Sequence, residues 1–153
     1  MFTIAMPKGR LLDKAVKVMT ELNLIKNQNK FDLLSRKLVF YDQESKNYFL
    51  LAKPKDIPAY IEHGAADIGV TGKDVIMEHD KDLYELLDLG FGNCKLVVAV
   101  PEESDIRNVE DIPEHSRIAT SYPTITKKFF SELGIQVDII HLSGSVELGP
   151  LVG

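Results

Sequence analysis

The amino-acid sequence predicts an α/β protein built on parallel β-sheet, with helices packed on the faces of the sheet. Short apolar runs alternate with segments of helical periodicity along most of the chain. Polar loops follow many of these runs, as expected for loops at the carboxyl ends of parallel strands. The alternation begins again after Pro101, which indicates a second α/β unit.

The first half of the chain contains most of the predicted strands. Residues 2–6 are apolar and are followed by Pro7, which predicts a buried strand. The next segment has apolar residues at spacings of three and four, which predicts one buried helix face: Leu12, Ala15, Val16, Met19 and Leu22. Residues 26–36 are polar and irregular, and a turn at 42–45 joins predicted strands at 37–41 and 48–52.

The remaining elements are predicted from caps, glycines and β-branched runs. Asp56 is predicted to cap a helix that stops at Gly64. Further strands are expected at 67–71, 83–89, 95–100, 117–120 and 135–142. Further helices are expected at 74–78, 108–112 and 123–133, with another starting at 145.

The composition fits one ordinary domain or two small lobes, since the 153 residues are 44% hydrophobic and 27% charged. This balance excludes a wholly disordered chain. We expect neither a membrane helix, which needs roughly 20 apolar residues, nor a secretory signal. The single cysteine, Cys94, cannot form an internal disulfide and is predicted to be a core residue. These features predict a cytoplasmic protein.

Positive charge is concentrated in residues 1–60, which carry a net charge of +5, whereas residues 61–153 carry −10. The overall charge of −5 argues against general affinity for nucleic acids. A solvated surface accounts for most of these charges, but a site for an anionic ligand would also concentrate cations. The positions of the individual cations therefore matter.

Two basic loops each follow a predicted strand and precede a predicted helix. In the first loop, Gly9 lets the backbone approach a ligand closely, while Lys8 and Arg10 add positive charge at a helix N-terminus. This arrangement favours an anion site over a solvated basic turn. The second loop holds Lys53 and Lys55, and taken alone it fits an anion site and a simple cap equally well. We predict that the four cations share one cleft.

Two further loops offer amide and hydroxyl groups. Residues 69–74 do not form a phosphate-binding P-loop, because Asp67 and Asp74 stand where that motif needs Gly and Ser or Thr. A tight turn with exposed amides remains plausible there. The loop at 120–124 suits phosphate or pyrophosphate, but a capping turn has the same composition, and both interpretations stay open.

No motif for a covalent nucleophile or a protein-built metal site is found in the sequence. The four histidines lack the spacing of zinc ligands: His63, His79, His115 and His141. Asp80 and Asp82 do not begin a calcium loop, because the required glycine is missing. Glu147, in the first turn of a predicted helix, is by default a surface acid.

Six segments, in the same order along the chain, resemble the catalytic subunit of the ATP phosphoribosyltransferase family, which performs the first step of histidine biosynthesis. The segments are residues 7–11, 53–58, 64–74, 85–92, 119–123 and 144–148. Each segment is short, but the ordered set is specific and spans nearly the whole chain.

The resemblance implies a bilobal fold like that of type II periplasmic binding proteins, with mixed sheets and helices on both faces. Residues 1–90 would form the first lobe, on the nucleotide side, and residues 91–153 the second lobe, on the phosphoribosyl pyrophosphate side. The compact opening resembles the short form of the family. That form implies a homodimer, or a hetero-oligomer with a regulatory subunit related to histidyl-tRNA synthetase.

The resemblance also implies a reaction, the transfer of the phosphoribosyl group from phosphoribosyl pyrophosphate to an adenine nitrogen of ATP, with release of pyrophosphate. Such a displacement needs positioning and charge neutralisation more than a covalent nucleophile. Mg²⁺ is expected to be carried mainly by the substrate phosphates, with one or two carboxylates at most. No protein metal site is therefore expected.

The resemblance assigns expected roles to seven residues. Four cations would face phosphates, namely Lys8, Arg10, Lys53 and Lys55. Gly72 and Asp74 would lie near the nucleotide, and Glu147 would contact the ribose hydroxyls of phosphoribosyl pyrophosphate. Three more substrate-binding residues are expected from the polar loop at 120–124, namely Thr120, Tyr122 and Thr124.

Family members continue beyond the position of Gly153 into an acidic strand and a Thr-Gly loop that holds the 5′-phosphate of phosphoribosyl pyrophosphate. A chain that ends at Gly153 is therefore expected to bind ATP but to show little transfer by itself. Two other interpretations compete with the enzyme. One is a non-catalytic cytosolic small-molecule binding module of the same fold, and the other is an inert fragment that assembles with other subunits.

Overall fold

The computed structural model describes residues 1–27, 37–79 and 82–151. Its chain divides into two compact units, Met1–Asn93 and Cys94–Gly153, close to the boundary expected after residue 90. Most of the irregular segment expected at 26–36 lies outside the described residues. None of the helices in the described ranges has the length and apolar character needed to cross a membrane.

The first unit contains a four-stranded mixed sheet in the order β2-β3-β1-β4. Its strands are β1 (Thr3–Pro7), β2 (Val39–Asp42), β3 (Asn47–Ala52) and β4 (Ile68–Gly69). Strand β1 pairs in parallel with both β3 and β4, whereas β2 and β3 form an antiparallel hairpin. The four predicted strands are confirmed, although β4 is shorter than the expected 67–71.

Helices cover both faces of this sheet. They are α1 (Leu12–Glu21), α2 (Ile57–Glu62) and α3 (Lys73–His79). Successive side chains of a strand point to opposite faces. Ile4 and Met6 of β1 therefore pack with Leu12 of α1 in one core cluster, while Ala5 packs with Ile57 of α2 in another. The predicted α/β arrangement, with helices on both faces, is confirmed.

Small residues allow α2 to approach the sheet closely. Gly69 of β4 is paired with Ala5 of β1, so both lie beneath α2. A Cβ placed on Gly69 would come within 2.6 Å of Cγ2 of Ile57. Any larger residue at position 69 would therefore push α2, and the loop that precedes it, away from the sheet.

A buried carboxylate holds the segment after α1 against the β2–β3 hairpin. Asp42 is 2% exposed, and its side chain accepts hydrogen bonds from the backbone N–H of Lys26 at 2.7 Å and of Glu44 at 3.2 Å. The Ser45 hydroxyl donates a further bond at 3.1 Å. Burial raises the pKa of Asp42, but these donors, led by Lys26, lower it by more, so its pKa lies below the ordinary value.

Acid is expected to destabilise the first unit through Asp42. Because its pKa is lowered in the folded state, the stabilisation is complete above the unfolded pKa of about 3.9 and is lost as the pH falls through the folded pKa. Asp42→Ala should lower the free energy of unfolding by about 3 kcal/mol at neutral pH. Urea unfolding at pH 7 and pH 3 measures both effects, and the stability of Asp42→Ala should depend less on pH.

The exposed Asp138, changed to Asn, is the matched control for this measurement. It should leave both the stability at pH 7 and its acid dependence close to those of the unchanged chain. An Asp42→Ala variant with the same acid dependence as the unchanged chain would show that Asp42 is not the responsible group.

The second unit is built on two parallel strands. These are β5 (Ser116–Thr120) and β6 (Val137–His141), joined by α4 (Pro123–Glu132). Helix α4 packs on β6, with Phe130 fully buried. A 3₁₀ helix at Val146–Leu151 packs on β5, where a Cβ on Gly149 would come within 2.8 Å of the Cβ of Ala119. The strands and helices predicted from residue 108 onwards are confirmed, with 3₁₀ geometry at Val109–Asp111 and Val146–Leu151.

Several predictions about the region that connects the two α/β patterns are wrong. Described residues at 83–89 and 95–100 do not form strands. Apolar side chains in the second segment are exposed, Leu96 by 56% and Val97 by 72%. A β-branched sequence favours a strand only when another strand pairs with it, and none does so here. Cys94 is consequently exposed and is not a core residue.

Two smaller predictions about helix ends are also wrong. Leu22 is 51% exposed, because α1 ends at Glu21 and the chain turns away before the apolar face is completed. Asp56 makes no side-chain capping hydrogen bond at the start of α2. A 3₁₀ turn at Pro54–Asp56 runs directly into α2 and occupies the place of a capped start.

Candidate functional site

Three loops of the first unit emerge at the same edge of its sheet. Since β1, β3 and β4 are parallel, their carboxyl ends lie side by side. Pro7 at the end of β1 is paired with Ala52 at the end of β3, and the N–H of Lys8 donates to the carbonyl of Ala52 at 2.8 Å. Lys8 and Lys53 therefore leave the sheet from neighbouring positions.

The loop after β1 is a tight turn that leads into α1. Gly9 has φ +100°, a left-handed conformation that favours glycine, and its carbonyl accepts from the N–H of Leu12 at 3.0 Å. Nothing lies within 4 Å of where a Cβ of Gly9 would be, so the surface beside this turn is open. Lys8 and Arg10 are both exposed on either side of it.

The loop after β3 is connected to the loop after β4 by a side-chain hydrogen bond. The hydroxyl of Thr71 donates to the carbonyl of Pro54 at 3.0 Å. Lys53 and Lys55, which flank Pro54, are exposed. The bond fixes their loop relative to residues 70–74, so the structure brings both lysines to the edge where Lys8 and Arg10 lie.

Gly72 and Asp74 form a compact turn at the same edge. The carboxylate of Asp74 folds back over Gly72 and contacts the position that a Cβ of residue 72 would occupy. Lys73, between them, forms an ion pair with Glu85. Lys73 is thus a cation that pairs with an acid of its own unit.

The second unit repeats this layout on a smaller scale. β5 and β6 are parallel, and the N–H of Leu142, just after β6, donates to the carbonyl of Thr120 at the end of β5 at 2.9 Å. The loop at 121–122 and the loop at 142–145 therefore lie at one edge. Tyr122 is half-buried, and Thr124 in the first turn of α4 is exposed.

Glu147 lies in the 3₁₀ helix that follows β6 and is exposed. The helix begins after Ser145, which has φ +51°, and the N–H of Leu148 donates to the Ser145 carbonyl at 3.1 Å. Packing of Gly149 on Ala119 fixes the helix against β5. Glu147 therefore lies in a turn that follows the carboxyl end of β6 and packs on β5.

The ten predicted site residues thus fall into two groups, one in each unit. The first-unit edge holds Lys8, Arg10, Lys53, Lys55, Gly72 and Asp74, and the second-unit edge holds Thr120, Tyr122, Thr124 and Glu147. Among the residues that the structure describes, no group of three or more His, Cys, Asp or Glu side chains is placed to hold a metal ion.

Sequence reasoning missed two threonines that organise these edges, Thr71 and Thr126. Thr71 lies between a strand and a glycine, and nothing in the sequence shows that its partner is the carbonyl of Pro54. Thr126 lies one turn into α4 and is 7% exposed. Its position on the helix face toward the sheet could have been noticed from the spacing to Phe130.

Comparisons with known proteins agree on one family. The family model named HisG, described as ATP phosphoribosyltransferase, matches residues 53–153. Curated proteins named ATP phosphoribosyltransferase include that of Halothermothrix orenii, 58% identical over 148 residues, and that of Citrifermentans bemidjiense, 46% identical over 151 residues. The match to the Halothermothrix orenii protein covers 97% of this chain and 66% of that protein. The match to the Citrifermentans bemidjiense protein covers 99% of this chain and 70% of that protein. The chain thus spans about two thirds of their length.

A solved structure shows the same fold. One chain of the ATP phosphoribosyl transferase (HisG:HisZ) complex from Thermotoga maritima has a similar structure, with a TM-score of 0.70 and 26% sequence identity. The match covers all of the present chain and 70% of the Thermotoga maritima chain. That chain has the bilobal, periplasmic-binding-protein-like fold. Sequence and fold lead to the same result, and this chain belongs to the ATP phosphoribosyltransferase family.

Proposed function

We propose that this chain carries the substrate-binding edges of an ATP phosphoribosyltransferase. The reaction moves the phosphoribosyl group of phosphoribosyl pyrophosphate to an adenine nitrogen of ATP and releases pyrophosphate, as the first step of histidine biosynthesis. Family membership supports the reaction. The site is assigned to this edge because the loops that leave the first sheet there contain four cations. These are Lys8, Arg10, Lys53 and Lys55.

The basic edge of the first unit is suited to the phosphates of a nucleotide. Its four exposed cations are opposed, within the three loops at 8–11, 53–56 and 70–74, by only two acids, Asp56 and Asp74. Lysine and arginine form strong charge-assisted hydrogen bonds with phosphate oxygens. The open backbone at Gly9 allows a phosphate to approach the main chain.

The edge of the second unit is suited to a sugar phosphate. A carboxylate such as that of Glu147 accepts hydrogen bonds from a pair of ribose hydroxyls, and the hydroxyls and amides at 121–124 can donate to phosphate oxygens. As positive charge develops on the sugar in the displacement, a fixed carboxylate nearby stabilises it. We therefore assign phosphoribosyl pyrophosphate to the second unit.

Mg²⁺ fits this arrangement as an ion held mainly by substrate oxygens. It prefers oxygen ligands and commonly takes one or two carboxylates together with phosphates. Asp74 lies at the basic edge and could supply one of these carboxylates. When bound, the ion would neutralise negative charge on the substrate phosphates that hold it.

The partner and the compartment follow from the same assignment. The similar Thermotoga maritima structure is a HisG:HisZ complex. We propose that this chain likewise functions as a homodimer or with a regulatory subunit related to histidyl-tRNA synthetase. We also propose that it acts in the cytoplasm, where ATP and phosphoribosyl pyrophosphate are made.

Mixing the natural assembly that contains this chain with ATP, phosphoribosyl pyrophosphate and Mg²⁺ tests the proposal. Pyrophosphate should be released only when both substrates are present. ATP binding without any release by that assembly would instead support a non-catalytic binding module of the same fold.

Lys55→Ala is expected to weaken ATP binding about tenfold, because it removes one charge-assisted contact with phosphate. The free energy of unfolding should change by no more than about 0.5 kcal/mol, since the side chain is exposed. Calorimetric titration with ATP and urea unfolding measure the two quantities. Lys17→Ala, on the exposed side of α1, is the control and should leave ATP affinity unchanged. Equal ATP affinity in both variants would remove Lys55 from the site.

A further inference from the structure

A closed set of hydrogen bonds links Thr120, Tyr122 and Thr126 at the start of α4. The N–H of Tyr122 donates to Oγ1 of Thr120 at 3.0 Å. Oγ1 of Thr126 lies 3.1 Å from Oγ1 of Thr120 and 2.7 Å from the carbonyl oxygen of Tyr122. The set begins and ends on the main chain of Tyr122.

The direction of each bond follows from the number of protons. A hydroxyl has only one, so the Thr126 hydroxyl donates to the Tyr122 carbonyl, which has no proton to offer. The Thr120 hydroxyl must then donate to Oγ1 of Thr126, and it accepts from the N–H of Tyr122. Each of the two threonine hydroxyls therefore donates its only proton to another member of the set.

Burial restricts access to these hydroxyls. Thr120 and Thr126 are each 7% exposed, whereas Thr124 in the same turn is exposed. To accept a hydroxyl proton from Thr120 or Thr126, a phosphate would have to break the Thr120–Thr126 bond or the bond of Thr126 to the Tyr122 carbonyl. The arrangement favours a role of the Thr120 hydroxyl within the loop, and its direct contact with substrate stays a prediction.

The set also fixes the main chain at the N-terminus of α4. Tyr122 is the N-cap of α4, with φ −129° and ψ 66°, and its side chain makes no capping hydrogen bond. The Tyr122 carbonyl accepts both the N–H of Thr126 at 3.0 Å and the Thr126 hydroxyl at 2.7 Å. Two threonine side chains thus fix the main chain from which the 121–124 loop is built.

We propose that Thr126 and Thr120 are positioning residues for the phosphoribosyl substrate, which fix the main chain of Tyr122 and thereby hold the 121–124 loop in the conformation that binds the substrate phosphates. This inference rests on the proposed function, because it assumes that the 121–124 loop contacts phosphoribosyl pyrophosphate. Neither threonine hydroxyl touches the substrate.

The test compares Thr126→Val, Thr126→Ser and Thr120→Val in the natural assembly that contains this chain. Valine keeps the volume of threonine and removes the hydroxyl, whereas serine keeps the hydroxyl. Thr126→Val removes the bonds of the Thr126 hydroxyl to Thr120 and to the Tyr122 carbonyl. It should raise KM for phosphoribosyl pyrophosphate about five- to tenfold and change KM for ATP less than twofold. Thr126→Ser should have the same KM values for both substrates as the protein without substitutions.

Thr120→Val removes the bonds of its hydroxyl to the Tyr122 N–H and to Thr126, so it shares the Thr120–Thr126 bond with Thr126→Val and opens the same closed set. It should raise KM for phosphoribosyl pyrophosphate to a similar extent, and the effects of the two changes should not add fully in the double variant. A direct contact of Thr120 with substrate predicts a different pattern, with a large effect of Thr120→Val and almost none of Thr126→Val. That pattern would overturn the inference. Equal increases in both KM values, with a lower melting temperature, would also overturn it and make the set merely structural.

Amide hydrogen exchange provides a readout that does not depend on activity. Exchange at the N–H of Tyr122 should be faster in Thr120→Val, which removes its acceptor, and unchanged in Thr126→Ser. If exchange changes as expected while KM for phosphoribosyl pyrophosphate does not, the positioning role fails and the proposed function stands. If the unchanged assembly neither binds nor uses phosphoribosyl pyrophosphate, the proposed function fails and the inference fails with it.

Discussion

Simultaneous replacement of Lys8, Arg10, Lys53 and Lys55 by alanine is expected to weaken ATP binding about a thousandfold. Each cation loses a charge-assisted contact worth about 1.5–3 kcal/mol, and only part of the sum is expected because the contacts share one ligand. All four side chains are exposed, so the fold should persist. Calorimetric titration with ATP gives the affinity, and circular dichroism with urea unfolding verifies the fold.

A control with the same change in net charge separates a local site from a general electrostatic effect. Four exposed cations outside the loops at 8–11, 53–56 and 70–74 can be replaced by alanine together: Lys17, Arg117, Lys127 and Lys128. This control should reduce ATP affinity by only a few-fold at low salt and not measurably at 0.15 M salt, where distant charges are screened. A thousandfold loss in the control would contradict a specific site.

Glu147→Gln is expected to lower kcat/KM for phosphoribosyl pyrophosphate about a hundredfold while leaving ATP affinity unchanged. Glutamine keeps the length of the side chain but removes the charge that strengthens the bonds to ribose hydroxyls and stabilises positive charge on the sugar. The side chain is exposed, so unfolding should be unaffected. Initial rates of pyrophosphate release, with each substrate varied in turn, measure the effect.

The exposed Glu132 at the end of α4 offers the matched control, since Glu132→Gln makes the same chemical change in the same unit. Its kinetic constants should equal those of the unchanged chain. If Glu147→Gln behaves like Glu132→Gln, the ribose is not held by Glu147 and the phosphoribosyl site lies elsewhere.

Periodic patterns predicted the elements that carry both candidate edges. The spacing of Leu12, Ala15, Val16 and Met19 predicted α1, and all four side chains are buried in the structure. Gly9 and Gly64 both have positive φ, at the turn and at the helix end where the sequence predicted them. Such features are local, because they depend on neighbouring residues, and they place the basic loops after parallel strands. Whether the ten site residues bind substrate stays a prediction.

Features that depend on distant partners were not predictable in the same way. The apolar segments at 83–89 and 95–100 have strand-like composition, but pairing depends on another strand that the segment's own sequence does not specify. The bonds of Thr71 to Pro54 and of Asp42 to Lys26 join residues 16 or 17 positions apart. Only the folded chain shows that these side chains hold the loops in place.

The identity of the reaction product is the most direct test of the proposed phosphoribosyl transfer to ATP. The natural assembly that contains this chain should be incubated with ATP, phosphoribosyl pyrophosphate and Mg²⁺, and the nucleotides analysed by mass spectrometry. We expect one new nucleotide, in which a phosphoribosyl group is joined to the adenine of an intact ATP. The amount of this nucleotide should equal the amount of pyrophosphate released. Pyrophosphate without this adduct, or unchanged ATP that remains bound to the protein, would contradict the proposed transfer.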